Sequence, residues 1–204
     1  MMPLMNGLEL CAKIKNNIEY SHIPVILLTA KVLPEAKVEG FSYGADAYVE
    51  KPFTILQLHM QIRNLLKLRT TFQQHMTSFL PDAKPEEKEE EETGIQLTPQ
   101  DQEFIKKMQE IIEQQLADEG FSIDTLASEM NMSRSNFYRK LKALSGMPPN
   151  DYLKNCRFNK AAQLLKEGYR VTEVFERTGF GSSSYFAKCF KAKFGVLPKD
   201  YISN

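Results

Sequence analysis

The sequence predicts a mixed fold, a short parallel α/β segment followed by an all-α domain built on a tandem helix-turn-helix. Three observations predict it. Residues 133–153 repeat at 182–202 without a gap. Helical stretches alternate with short apolar runs between residues 8 and 69, as in a parallel α/β arrangement. The zero net charge hides two opposed halves: residues 121–204 carry 14 Lys and Arg against 7 Asp and Glu, whereas residues 1–120 carry 12 against 19.

The first half opens with the turn Met2-Pro-Leu-Met-Asn-Gly7, which feeds a helix from about Leu8 to Asn16. Ile23-Pro-Val-Ile-Leu-Leu-Thr-Ala30 is apolar without alternation, the pattern of a strand buried on both faces. Pro34 to Tyr43 reads as a helix stopped by Gly44, and Ala47-Tyr-Val-Glu-Lys51 as a second strand. Pro52 and Phe53 open a further helix to about Arg69.

Met2-Pro3-x-Met5-x-Gly7, the strand-end Thr29-Ala30, and Gly44-Ala45-Asp46-Ala47-Tyr48 leading to Lys51-Pro52-Phe53 carry a resemblance. In their order and spacing this region resembles a response-regulator receiver domain, a flavodoxin-like doubly wound fold. The resemblance implies that Thr29 and Lys51 are the positions that contact a phosphoryl group on an aspartate, and that Tyr48 packs in or out according to state. A hydroxyl and an ammonium at strand ends can stabilise an added dianion. By the same resemblance the phosphoacceptor falls two positions upstream of Met1, and the paired acids that hold magnesium fall earlier still. Asp46 is no substitute, since it belongs to the loop before the last strand. Residues 1–70 therefore read as a truncated receiver, its last two strands and their helices, in which Thr29, Tyr48 and Lys51 are remnants with structural roles. Mg2+ is expected only in an intact receiver, and no cofactor is expected in this chain. The strand at 23–30 would keep an unpaired apolar edge, which favours either partial melting or self-association.

Residues 71–97 read as an acidic, disordered linker, with Pro81-Asp-Ala-Lys-Pro-Glu-Glu-Lys-Glu-Glu-Glu-Glu-Thr-Gly94 lacking any apolar period. Its acids either remain solvated or shield the basic half. Residues 98–204 form the second domain. Thr98 and Pro99 suit the N-cap and first turn of a helix whose apolar stripe is Phe104, Ile105, Met108, Ile111, Ile112 and Leu116. The stripe is expected to pack on the first helix-turn-helix, or else to form a dimer seam.

The repeat then falls into helix, turn and helix twice, at about 123–145 and 171–194. Ser133/Ser182, Ser135/Ser184, Phe137/Phe186, Lys142/Lys191, Ala143/Ala192, Gly146/Gly195, Pro149/Pro198, Asp151/Asp200 and Tyr152/Tyr201 are identical pairs, and Arg139 faces Lys188. Phe186, Phe190 and Phe194 in one copy, and Phe137, Leu141 and Leu144 in the other, recur at helical spacing and take the core face. The outward faces carry Ser135, Tyr138, Arg139 and Lys142, and Ser184, Ala187, Lys188 and Lys191. A short helix with small and basic residues outward suits a DNA major groove. Between the copies, Asn150 to Glu167 reads as one longer helix that fixes the separation of the two recognition helices, which should approach about 34 Å for adjacent grooves on one face of a duplex.

Leu126-Ala127 with Ser133-Arg134-Ser135, and Gly179-Phe180, Tyr185-Phe186, Phe190-Lys191, Gly195, Pro198 and Tyr201, resemble the DNA-binding domain of the AraC family of transcription regulators. The family commonly has Ala where Phe175 stands, so Phe175 needs extra room. The resemblance points to Ser135, Tyr138, Arg139, Ser184, Tyr185 and Lys188 for base readout. Arg139 suits bidentate pairing with guanine. Lys188 reads guanine or binds phosphate, and Tyr138 and Tyr185 either contact bases or pack. Arg134, Lys142, Arg157, Ser182, Ser183 and Lys191 are candidate phosphate contacts, which position without specifying.

The basic half is the electrostatic footprint of a polyanion binder. Cys11, Cys156 and Cys189 form neither a disulfide framework nor a zinc pattern, and His22, His59 and His75 have no metal-ligand spacing. No apolar run is long enough to span a membrane. No nucleophile–base pair or phosphate-cradling glycine loop points to an enzyme. The sequence thus predicts a cytoplasmic, DNA-binding transcription regulator at the output end of a two-component phosphorelay. Its partners would be double-stranded DNA, a second copy through the receiver half, and RNA polymerase. The parent is expected to be a hybrid protein with a histidine kinase upstream, anchored in the inner membrane, or a free-standing response regulator. A different class of function, an interaction module that pairs with an intact receiver or kinase, remains the alternative.

Overall fold

The computed structural model describes residues 5–30, 43–78 and 97–203. The expected helix at 34–43, save its last residue, lies outside them, as do the Met2-Pro3 turn and the acidic run at 81–94. The described residues divide into two compact units: one holds 5–30, 43–73 and 97–105, the other 74–78 and 106–203.

In the first unit, α1 (Gly7–Lys15) begins at Asn6 with a capping box. Asn6 Oδ1 accepts from the Glu9 N–H at 2.9 Å, and Glu9 accepts in return from the Asn6 N–H at 3.1 Å. β1 (Ile26–Thr29) pairs in parallel with β2 (Ala47–Glu50), Ile26 opposite Ala47 and Thr29 opposite Glu50. The expectation that β1 is buried on both faces does not hold: Leu28 is 43% exposed. Among the described residues β2 is the only strand beside it, and strand pairing covers an edge of β1, not the face on which Leu28 lies.

A polar lock holds this unit at its base. The Lys15 side chain is buried, its Nζ 2.6 Å from Asp46 and 3.0 Å from the carbonyl of Ile23. Asp46 also accepts from the Val25 N–H at 2.6 Å, so one carboxylate orients the entry to β1 and the entry to β2. α2 (Ile55–Ser78) starts later and runs further than the sequence pattern indicated. Thr54 caps it, accepting from the Gln57 N–H while the Gln57 side chain accepts from the Thr54 N–H. α3 (Pro99–Gln115) is capped by Thr98, whose Oγ1 accepts from the Asp101 N–H at 3.1 Å. Asp101 itself is buried and accepts from the Ser21 hydroxyl at 2.8 Å, which keeps the first turn of α3 with the first unit.

The second unit is helical: α4 (Ile123–Glu129), α5 (Arg134–Ser145), α6 (Pro149–Lys166), α7 (Val171–Arg177), α8 (Ser183–Phe194) and a closing 3-10 turn (Pro198–Ser203). The α3 stripe is buried at Met108, Ile112 and Leu116, and Gln115 donates to the Glu129 carboxylate of α4 at 2.7 Å. Around α6 the core is Phe158, Ala161, Ala162 and Leu165 against Val174, Phe180, Phe186 and Phe190. The Phe158 and Phe180 rings are 4.8 Å apart, those of Phe180 and Phe186 5.0 Å, and Tyr201 meets Phe190 edge-on at 5.2 Å.

Both α5 and α8 stop at a glycine in the left-handed region, Gly146 (φ 74°) and Gly195 (φ 81°). Gly179 (φ 65°) differs from these because it is also crowded: a Cβ there would lie 2.5 Å from the Leu116 carbonyl and 2.9 Å from that of Asp118. At Gly195 a Cβ would meet nothing within 4 Å. Gly195→Ala should therefore lose only the left-handed penalty, about 1–2 kcal/mol. Gly179→Ala should lose distinctly more, and denaturant melts of the two variants measure the difference.

Candidate nucleic-acid interface

The two helix-turn-helix motifs share a frame but not a turn. In the first, four residues separate α4 from α5, and Asn131 takes the left-handed conformation at φ 54°. In the second, five residues separate α7 from α8, and Gly179 takes it at φ 65°. Asparagine tolerates that region because its side chain is short and polar, and glycine because it has no Cβ. Each recognition helix then starts at a serine in extended conformation. Ser133 Oγ accepts from the Asn136 N–H at 3.3 Å, and Ser182 Oγ accepts from the Tyr185 N–H at 3.4 Å.

The structure brings most of the expected contact residues to these two surfaces. On α5, Arg134, Ser135, Tyr138, Arg139 and Lys142 are exposed, while Phe137, Leu141 and Leu144 are buried. On α8, Ser183, Ser184, Tyr185, Lys188 and Lys191 are exposed beside the cap Ser182, while Phe186 and Phe190 are buried. Phe194 is only half-buried, packed between Phe190 and Tyr201. Tyr138 sits at the edge of exposure (36%), whereas Tyr185 is half out of the surface (51%). Arg134 lies 3.0 Å from Asp124, but both side chains are largely exposed, and such a pair restrains the guanidinium only weakly.

Arg157 is placed elsewhere. Its Nη2 donates to the carbonyls of Asp118 (2.9 Å) and Phe121 (3.0 Å), bracing α6 against the loop before α4. Burial lowers its proton affinity, with Asp118 and Glu119 opposing. A guanidinium held on two backbone carbonyls is part of the frame.

Some residues of the site are not evident from residue type. Lys140 of α5 is fully buried, at the position that Cys189 takes in α8. Asn155 and Asn159 of α6 accept from Lys193 Nζ of α8 at 2.8 and 3.0 Å. Lys154 lies 5.2 Å from the Tyr185 ring centroid, and its hydrogen bond to Tyr185 raises its proton affinity. Lys154, Asn155 and Lys193 line a groove of about 360 Å³ between α6 and α8, with Phe158 and Cys189 beside them.

In the first unit, Tyr48 and Lys51 line one pocket of about 570 Å³ with Glu50, Gln57, Met60 and Asn64. Thr29 does not line it. It stands at the end of β1, where its carbonyl accepts from the Lys51 N–H at 2.7 Å. The described residues do not fit a magnesium ion, because they hold no cluster of three His, Cys, Asp or Glu, and Asp46 is committed to Lys15 and Val25. Among the described residues no helix is long and apolar enough to cross a membrane.

Two capped helices presenting exposed basic and polar faces, each seated on its own buried core, define a tandem helix-turn-helix DNA-binding domain. Residues 126–204 match the family model of the helix-turn-helix domain, and residues 1–63 match that of the response regulator receiver domain. The chain therefore joins response regulator receiver sequence to an AraC-type helix-turn-helix DNA-binding domain. It is 35% identical over 202 residues to Histidine kinase P4 of Formosa agariphila, covering 98% of this chain and 14% of that protein. Response regulator ArlR of Staphylococcus aureus is 45% identical over 67 residues, 33% of this chain and 29% of its own. The chain thus spans less than a third of these curated relatives. The C-terminal domain of the two-component response regulator yesN from Fusobacterium nucleatum is 30% identical, with a TM-score of 0.46 over 49% of this chain and 98% of its own.

Burial within the DNA-binding unit gives its stability a pH dependence. Burial pushes the Cys156 thiol from 9.0 up to about 12, and burial raises Tyr152 as well. Both groups stay protonated in the folded unit while they ionise in the unfolded chain. Their contribution is complete below pH ~9 and is lost as pH rises, by up to about 1.4 kcal/mol per pH unit for each group. Melts of Cys156→Ala between pH 8 and 11 should show a shallower decline than the parent chain, whatever offset the cavity adds.

Proposed function

We propose that this chain is the DNA-reading output of a two-component regulator, with α5 and α8 entering two major-groove segments of one duplex. The observation that carries the reading is the pair of exposed faces on equivalent helices, each backed by a buried core and opened by a serine cap. Ser135, Tyr138, Arg139, Ser184, Tyr185 and Lys188 face the bases in this reading. Arg134, Lys142, Ser182, Ser183 and Lys191 hold phosphates, the serine caps adding the N-terminal ends of their helices. α6, about 27 Å long at 1.5 Å per residue, sets the distance between the two helices.

The collinear match over 98% of this chain to a protein named as a histidine kinase supports a hybrid parent, in which a kinase and the rest of the receiver precede this output end. In such a parent, phosphorylation acts through receiver pairing to bring two DNA-binding domains onto paired half-sites, in the cytoplasm, where RNA polymerase is the machinery they influence. A second reading rests on the receiver segment itself. Ile55, Leu56, Met60 and Leu66 of α2 are all more than half exposed, an apolar surface that suits pairing with another receiver or a kinase.

Binding of the chain to selected and random duplexes across a salt series tests the first reading. Affinity should fall steeply with salt while the preference for the selected duplex persists. Absence of binding at low salt would reject it. Arg139→Ala should lose about 1–3 kcal/mol on the selected site and relax one base position, while Lys191→Ala should weaken all sequences alike.

A further inference from the structure

The two recognition helices treat their central cation differently. Arg139 of α5 is held along its own helix: its Nη2 donates to Asn136 Oδ1, and its Nε donates to the Ser135 carbonyl at 3.4 Å. A guanidinium carries five N–H donors in a rigid plane. These two contacts use the Nε–H and one Nη2–H. The other Nη2–H and both Nη1–H remain, and they include the end-on pair that can meet two acceptors on one guanine edge. On α8 this arrangement has no counterpart, because Tyr185 stands at the position of Asn136 and Lys188 at that of Arg139.

We infer that Asn136 is a specificity-determining positioning residue, which pre-orders Arg139 for base readout and makes α5 the more discriminating of the two helices. The inference rests on the proposed reading of Arg139. Its physical basis is the rotamer freedom of a long side chain, whose loss opposes binding unless the side chain is already held. Lys188, a flexible ammonium with rotatable donors, has no such plane to orient. Asn136 acts through Arg139 in this scheme, and no base contact of its own is required. Its backbone N–H still caps on Ser133 when the side chain is removed.

A double-mutant cycle in the full chain tests the inference. Anisotropy titrations would compare the selected duplex with single-base variants, for the parent, Asn136→Ala, Asn136→Asp, Arg139→Ala and the Asn136→Ala/Arg139→Ala pair, with thermal melts confirming equal folding. Arg139→Ala should lower discrimination at one base pair by about 10- to 100-fold. Asn136→Ala should lower discrimination at that same base pair by about 2- to 10-fold, and should add nothing in the Arg139→Ala background. Asn136→Asp retains the acceptor oxygen, so it should keep the discrimination while weakening every duplex through its added negative charge. If Arg139→Ala relaxes no position, the reading of Arg139 falls and the inference falls with it. If Arg139→Ala relaxes a position but Asn136→Ala changes nothing there, or acts at another base pair, or still acts without Arg139, only the inference is overturned.

Discussion

The DNA-binding unit depends on one joint, where the loop before α4, the middle of α6 and the turn before α8 meet. Arg157 donates to the carbonyls of Asp118 and Phe121, and Gly179 closes on the carbonyls of Leu116 and Asp118, where a Cβ would also lie 3.2 Å from Arg157 Nη2. Arg157 gives the Asp118 carbonyl a second donor beside the Phe121 N–H at 3.2 Å, and gives the Phe121 carbonyl a charged one, as buried backbone acceptors require. The joint also ties both helix-turn-helix motifs to α6. The relative placement of α5 and α8 is thus set by a charged hydrogen-bonding group on a rigid helix and by a residue with no side chain, rather than by apolar packing alone.

Within that frame the two motifs solve their packing differently. The first buries Leu126 and Ala127 side by side on α4. The second has Val174 and Phe175 at the same places, and there Val174 takes the fully buried position while Phe175 stays only partly covered, its ring 6.4 Å from that of Phe186. The smaller Val174 takes the buried place, and the larger Phe175 finds room by staying at the margin of the core. The extra residue of the second turn accompanies the change, and it brings Phe180 onto Phe158 and Phe186.

Much of this was legible in the sequence because it follows from periodicity and from residues with few conformational options. The spacing of the phenylalanines, the serines before each recognition helix and the glycines after them locate α5 and α8 without reference to any distant contact. Thr98 and Pro99 announced α3 in the same way. What escaped was set by tertiary surroundings. Arg157 reads as a surface cation until the carbonyls of Asp118 and Phe121 are seen beside it. Lys140 carries no mark that separates it from the exposed Arg139 and Lys142 of its own helix. The apolar run at 23–30 announced a strand, but its coverage depends on how many neighbours it has. The late start of α2 turned on a choice between Pro52 and Thr54, and only Thr54 has a side-chain acceptor for the first turn.

The repeat also separates what holds the motif from what it presents. The identical pairs are mostly caps, core positions and stops: Ser133 and Ser182, Phe137 and Phe186, Gly146 and Gly195, Pro149 and Pro198. The pairs that differ on the recognition helices include outward positions: Arg134 against Ser183, Asn136 against Tyr185, Tyr138 against Ala187, Arg139 against Lys188. A guanidinium offers a planar fork and an ammonium a point charge, so these are different chemical surfaces on one repeated frame. The frame has duplicated and the faces have diverged, so each half of the domain presents its own pattern of donors to whatever groove it meets.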